Sequence, residues 1–199
     1  MWDSRYLKPG YAFGTIPNDF LKSEFLHIPK NGSVLCLAEG EGRNGVFLAE
    51  HGYSVTCVDQ SSVGLQKAEK LAREHGVTIK TIVSDLSNFE FESEVWDGIV
   101  SIFAHVPAEL RKQIHSRLIP SLKPEGVFIL EAYTLRHLEL EGTGGPPADK
   151  KDFFMSLRDI KQELTNLSFI MAQETERKIS EGEFHHGKSA VVQVVAQKS

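Results

Sequence analysis

Only two cysteines occur in the 199 residues, which excludes a fold stapled by disulfides. Cys36 and Cys57 lie inside the apolar runs "VLCL" and "VTCV". They are expected as small buried hydrophobes, not as a disulfide or a metal pair. No apolar run is long enough to cross a bilayer, and the stretch "MWDSRYLKPGY" lacks a secretory apolar core. The expectation is a cytoplasmic chain without a membrane partner. Clustered Lys and Arg are missing as well. The balance of 22 basic and 27 acidic residues gives a formal net charge of -5, which disfavours nucleic acid as a partner. There is no repeat and no low-complexity tract. What is present is an ordinary globular composition, 41% hydrophobic and 25% charged. The length suits one packed domain, expected over 1–199, and is short for two.

Apolar runs alternate with helical patterns. Strands are expected at Ser33 to Leu37, Tyr53 to Asp59, Thr78 to Asp85, Trp96 to Phe103 and Gly126 to Tyr133. Helices are expected from about Asn44 to a stop at Gly52, from a Ser61 or Ser62 cap to Gly76, and onward from Pro107. Leu135 to Phe154 has no periodicity and a Gly/Pro-rich middle, Gly142 to Pro147. It reads as a long loop, a lid over 135–155. A helix over Ser156 to Asn166 follows, and then two β-rich runs joined by "EGEFHHG". That short connection predicts a closing antiparallel hairpin. The fold class is therefore α/β: a doubly wound, mostly parallel sheet of about seven strands, with sites at the carboxyl ends of the strands.

The stretch "VLCLAEGEGRNGVFLAEHG" carries Gly40, Gly42 and Gly45 in Gly-x-Gly-x-x-Gly spacing, between a strand and a helix. That pattern usually cradles a pyrophosphate. Glu39 and Glu41 oppose such a ligand, since like charges at close range repel by roughly 4 kcal/mol near a surface. Asp59 ends the second strand, about twenty residues past the first glycine, as a ribose-binding carboxylate would. A ligand with a ribose and a positive charge satisfies both features, and S-adenosylmethionine has both. Asp85 ends the third strand, where it and the Leu86 backbone can hold an adenine amine. A glycine turn and a capping aspartate are the purely structural readings of the same residues.

These residues resemble the class I S-adenosylmethionine-dependent methyltransferases, in their small tellurite-resistance and thiopurine-type branch. The resembling pieces are "GEGRNGVFLAEHGYSVTCVDQS", "SDL", "WDGIVSIFAHV" and the N-terminal "YAFGTIPNDFL". Together they cover about Trp2 to Tyr133, and the closing hairpin agrees in type. The resemblance implies a methyl transfer to a small-molecule acceptor, with an N-terminal segment, 1–30, closing over the cofactor. It implies cofactor contacts from Glu39, Gly40, Glu41, Gly42 and Asn44 on the loop. Asp59, Gln60 and Ser61 would follow from the second strand, Asp85 and Leu86 from the third, and Ser101 and Phe103 from the fourth. Many members carry an Asp in the first strand and a Gly-Cys before the loop. Here Cys36 and Ala38-Glu39 stand in those places, so Glu39 is expected to take over the methionine ammonium. An Asn-Pro-Pro-Tyr-like motif after the fourth strand marks amino-group methylases of nucleobases and glutamine. "SIFAH" stands there instead.

His105, just after the fourth strand, is the candidate general base, with a local loop histidine as the rival reading. Tyr133 is a candidate catalytic residue on the acceptor side, with Glu131 on the same strand face. His185, His186 and Glu183 lie in the hairpin; they read as a polar turn from which no metal is expected, with one of the histidines within reach of the acceptor as the other reading. Tyr11 and Phe13 are candidates for an aromatic wall. Two other functions fit the sequence: a nicotinamide-dependent oxidoreductase, and a non-catalytic binder of S-adenosylmethionine. Neither the acceptor nor an oligomeric state is specified by the sequence.

Overall fold

The apolar runs form seven strands: β1 (Ser33–Leu37), β2 (Ser54–Asp59), β3 (Lys80–Val83), β4 (Trp96–Ile102), β5 (Leu122–Tyr133), β6 (Ser168–Glu181) and β7 (His185–Gln197). In this computed structural model, which describes residues 2–199, they make one sheet in the order β3-β2-β1-β4-β5-β7-β6. The first five are parallel; β7 runs antiparallel to β5, and β6 antiparallel to β7. The helices are α1 (Trp2–Tyr6), α2 (Asp19–Glu24), α3 (Arg43–Glu50), α4 (Ser62–Glu74), α5 (Ala108–Ser121) and α6 (Leu157–Glu163).

Strand periodicity sorts the core into two layers. Val34 and Cys36 of β1, with Val127 and Ile129 of β5, pack against Leu21 of α2, Phe47 and Leu48 of α3 and Leu65 of α4. Leu35 and Leu37, with Phe128 and Leu130, face Ile114 and Leu118 of α5 and Ile160 of α6. Both faces of the parallel strands are covered, which is why these runs are continuously apolar. Cys36 and Cys57 are free, buried and side by side across β1 and β2. Turn chemistry works as the sequence indicates at α4. Ser61 caps it, accepting from the Gly64 N–H at 3.1 Å, and Gly76 follows its end with φ +69.

Some boundaries differ from the sequence reading. β3 stops at Val83, because Asp85 turns the chain by accepting the Ser87 N–H at 2.8 Å. β5 starts at Leu122, directly after α5. The 135–155 segment contains two short 3-10 turns, Leu135–Glu139 and Lys151–Phe153. It is pinned at Thr143, which pairs with His186, and at Met155, whose N–H donates to the Tyr133 carbonyl at 3.0 Å.

The hairpin matters most for the site. Tyr133, the last residue of β5, lies opposite Val191. Residues 176–190 therefore run past the carboxyl ends of the parallel strands and turn over them. The tip meets the N-terminal arm. Glu183 N–H donates to the Ala12 carbonyl at 2.9 Å. Gly182 has φ +61, and a side chain there would collide with the Phe13 backbone.

On the opposite layer α5 and α6 are joined by a buried ion pair. Arg111 forks onto Glu163 at 2.8 and 3.0 Å, and His115 Nδ1 lies 2.7 Å from the same carboxylate. Arg111 is 3% exposed, so removing its partner strands a buried charge. Glu163→Ala is expected to cost about 3–5 kcal/mol in urea unfolding; a loss below about 1 kcal/mol would show that the pair contributes little.

Candidate active site

The glycine loop begins where β1 ends. Gly42 takes the cap position of α3 with φ +90 and has no side chain to cap with. Glu39 does the capping. Its Oε1 accepts from the N–H groups of Asn44 and Gly45, both at 2.8 Å. The positive end of α3 is thereby already matched to a carboxylate. The Glu39 pKa is raised to about 7: burial, with a smaller push from the nearby Asp59 charge, outweighs the two N–H bonds and Arg43, which lower it. Both bonds fall on Oε1.

Asp59 sits at the end of β2, 6% exposed. Its Oδ2 accepts from Gly40 N–H at 2.9 Å and its Oδ1 from Ser61 N–H at 2.8 Å. The carboxylate is thus fixed beside the loop, with its pKa raised by burial. Tyr6 of α1 closes this corner. Its hydroxyl would lie 2.6 Å from a side chain at Gly40, and its ring packs on Gly64. Burial first, then the charges of Asp59 and Glu41, hold the Tyr6 phenol in its neutral form. Ser61 also bonds Asp3 of α1.

Several residues expected to touch the cofactor turn out to hold the arm. Glu41 Oε2 accepts the Ala12 N–H at 2.6 Å, and its Oε1 meets Lys67 Nζ at 2.8 Å. Both oxygens are taken. Lys67 also donates to the carbonyls of Lys8 and Gly10, at 2.9 and 2.7 Å. Asn44 Oδ1 accepts the Asn18 N–H at 3.0 Å. Ser101 is buried within β4, and Leu86 packs into the core. Gln60 and Asp85 are exposed on the loops after β2 and β3. Hydrogen bonds from Ser87 lower the Asp85 pKa, so it is an ionised turn residue.

The second half of the site lies where β4 and β5 end. Phe103 has φ +53, an uncommon conformation for a bulky residue. Its N–H is anchored on the Glu131 carbonyl at 2.8 Å. Its ring stacks on Tyr133 at 4.6 Å and meets His185 edge-on at 4.9 Å. Phe13 of the arm covers His185 from the other side at 4.6 Å. Tyr11 does not join this wall; it lies against Lys67.

His105 lies between β5 and the 135–155 segment. Its Nδ1 donates to the Phe153 carbonyl at 2.9 Å, and Nε2 accepts the Tyr133 N–H at 3.3 Å. Both nitrogens are used in tying the 135–155 segment to β5. Burial lowers its pKa to about 4. His105 is a neutral strut.

Tyr133 Oη, His137 Nδ1 and His185 Nδ1, on three rings that pack together, are buried with no hydrogen-bond partner, as is Nη1 of Arg43, whose guanidinium meets Glu181. Native interiors leave few such atoms, and a site awaiting a ligand is one place they occur. The Tyr133 hydroxyl is held un-ionised by burial. Below it lies an ion network that the sequence reading saw only through Glu131. Arg177 forks onto Glu131 at 2.8 and 2.6 Å. Arg43 meets Glu181 at 2.6 Å. Asn18 Nδ2 donates to both carboxylates, at 2.6 Å to Glu131 and 2.9 Å to Glu181, and Gln193 donates to Glu131 at 2.7 Å. Tyr6, Asn18, Arg43, Arg177 and Glu181 were missed. A signal existed for two of them: Arg177, Ile179 and Glu181 share the inward phase of β6, and two charges on an inward phase mark a site.

Among the described residues, no group of three or more His, Cys, Asp or Glu is placed to hold a metal ion. No described helix is long and apolar enough to cross a membrane. A cavity of about 340 Å³ lies at Lys112, Asp159, Gln162 and Glu163, between α5 and α6 and away from the glycine loop. Tyr6 and the arm lie beside the glycine loop.

Residues 34–126 match a family described as methyltransferase domain. An uncharacterised methyltransferase of Bacillus subtilis, YbaJ, is 34% identical over 101 residues, 50% of this chain and 40% of that protein. The chain spans less than half the length of the curated relatives it matches. The fold is similar to that of TehB from Haemophilus influenzae, with TM-score 0.73, 19% identity, and coverage of 91% of this chain and 62% of that one. It is also similar to a SAM-dependent methyltransferase from Methanosarcina mazei, with TM-score 0.71, 21% identity, and coverage of 87% and 95%.

The ion network sets a pH dependence. His185, Arg43 and Arg177 hold the Glu181 pKa at about 2 against the opposing effect of burial, where an unperturbed glutamate has 4.5. A lowered folded-state pKa gives stability that is present above 4.5 and is lost as pH falls toward 2. Urea unfolding midpoints are expected to drop across that window, and Glu181→Gln is expected to flatten the drop. An equal slope in the variant would assign the acid sensitivity to other carboxylates.

Proposed function

We propose, on the premise that the chain carries a class I S-adenosylmethionine-dependent methyltransferase domain, that it transfers a methyl group from S-adenosylmethionine to a small-molecule acceptor. The observation that carries this reading is the state of Glu39. Its pKa near 7 belongs to a carboxylate short of positive charge, beside a second carboxylate, Asp59. The methionine ammonium supplies that charge. A pyrophosphate does not fit, because the N–H groups that would hold it are already bound to Glu39. This disfavours the nicotinamide alternative.

Bound S-adenosylmethionine supplies an electrophilic methyl group on a positively charged sulfur. Asp59, fixed by Gly40 and Ser61, accepts from the ribose hydroxyls at the end of β2. Glu39 receives the ammonium on Oε2 while Oε1 keeps its helix bonds. Asp85 and Gln60 border the adenine side. The arm, held by Glu41, Lys67 and Asn18, shields the reacting atoms from water. Phe103 and Tyr133 flank the acceptor, and Tyr133 Oη with Arg43 Nη1 orients its polar end. Positioning for in-line attack then accounts for most of the rate.

Calorimetric titration with S-adenosylhomocysteine tests this. Micromolar binding is expected, lost in Asp59→Ala. A cation favours ionised Glu39, so affinity should be full above about pH 7 and fall as pH drops through 7, by about tenfold at pH 6. Glu39→Gln should weaken binding by about tenfold at pH 8 and remove the pH dependence. Binding of NADH in place of S-adenosylhomocysteine would overturn the reading. Binding without turnover across thiol, phenol, carboxylate and oxyanion acceptors would leave a non-catalytic binder.

A further inference from the structure

We propose that His185, oriented by Glu181, is the base that takes the proton of a thiol or hydroxyl acceptor, an inference that rests on the methyl-transfer reading above. The position comes from the hairpin. His185 opens β7 directly opposite Glu181, the last pair before the turn. Because the hairpin overshoots β5, this pair hangs over the strand ends instead of the core. The imidazole is 7% exposed and lies among Phe13, Phe103 and Tyr133, with ring centroids at 4.6, 4.9 and 5.5 Å. It therefore packs in the same aromatic group as Tyr133, whose hydroxyl has no hydrogen-bond partner.

The orientation comes from Glu181. Its Oε2 lies 3.7 Å from His185 Nδ1, which is buried and without a hydrogen bond. That is longer than a hydrogen bond, and such contacts often tighten only when a ligand is present. Glu181 cannot swing away, since Arg43 holds its Oε2 at 2.6 Å and Asn18 its Oε1 at 2.9 Å. A carboxylate facing Nδ1 puts the proton on that nitrogen and leaves the Nε2 lone pair for the acceptor. The charged and titratable groups facing the ring are Glu181 from β6, Arg43 from α3, Arg5 from α1, Tyr133 from β5 and His105 after β4. Burial and the two arginines outweigh Glu181 and keep the imidazole neutral near pH 7. A neutral imidazole can accept a proton. His105 has no free nitrogen with which to compete.

The acceptor X–H gives its proton to Nε2. The electron pair left on X forms the bond to the methyl carbon. The methyl–sulfur bond breaks, and its pair stays on sulfur, which becomes the neutral thioether of S-adenosylhomocysteine. The imidazolium then releases its proton to water.

Long-range 1H–15N spectra of the histidine rings, recorded on the S-adenosylhomocysteine complex, test this without knowledge of the acceptor. His185 is expected as the Nδ1–H tautomer, titrating below 6.5. Glu181→Gln should move that titration down by about one pH unit, with His105 unmoved. The Nε2–H tautomer, or a titration indifferent to Glu181, would overturn the proposal. If Glu181→Gln fails to fold, the wild-type tautomer and the shift in Glu181→Asp decide the matter. His185→Asn should keep S-adenosylhomocysteine affinity within about twofold; a larger loss would place His185 in the cofactor site instead. Failure of the wild type to bind S-adenosylhomocysteine would reject the methyl-transfer reading itself, a result separate from either tautomer outcome.

Discussion

The carboxylate of Glu39 on the first N–H groups of α3 is the contact on which the ligand side of this protein depends. A Gly-x-Gly-x-x-Gly loop ordinarily leaves those donors open to a phosphate. Here the chain supplies its own anion, and Glu39 occupies the Asn44 and Gly45 donors. The same contact takes one oxygen and leaves the other. It also holds the carboxyl in an apolar corner beside Asp59, where its ionisation is poised near neutrality.

The arm and the hairpin form the rest of the site, and they are joined to each other as well as to the sheet. Glu183 and Ala12 share a backbone bond at the hairpin tip. Asn18 bridges Glu131 and Glu181, and Arg43, the residue after the glycine turn, reaches Glu181. Two arginines and two glutamates in one buried network cancel in formal charge. Such networks are weak sources of net stability, but they are intolerant of losing one member. Their use here is geometric. They bring the N-terminal arm, the glycine loop and the hairpin to one point above the ends of β4 and β5.

The parallel core was legible in the sequence because fully buried strands announce themselves as short apolar runs between glycines. Ser61, Gly76 and Gly182 act as local turn chemistry requires. Asp59 and Tyr133 could be located because strand ends could be located. The role of Glu41 was not legible. Its charge reads as hostile to phosphate from the sequence, while its partners, Ala12 and Lys67, lie 29 and 26 residues away. The contacts of His105 were hidden for the same reason: it follows β4 in the sequence, and the folded 135–155 segment and β5 engage both of its nitrogens.

By itself, then, the sequence determined the sheet, its two apolar layers, the glycine turn and the acid at the end of β2. These follow from periodicity and from backbone conformations that few residues adopt, and both are properties of neighbouring residues. The tertiary structure alone decided which charged side chains are satisfied and which remain available. Glu41 and His105 are consumed by distant partners, while Arg43, Tyr133 and His185 keep unpaired atoms over the strand ends. Availability for chemistry depends on what the rest of the chain brings within about 3 Å, and no local pattern encodes that.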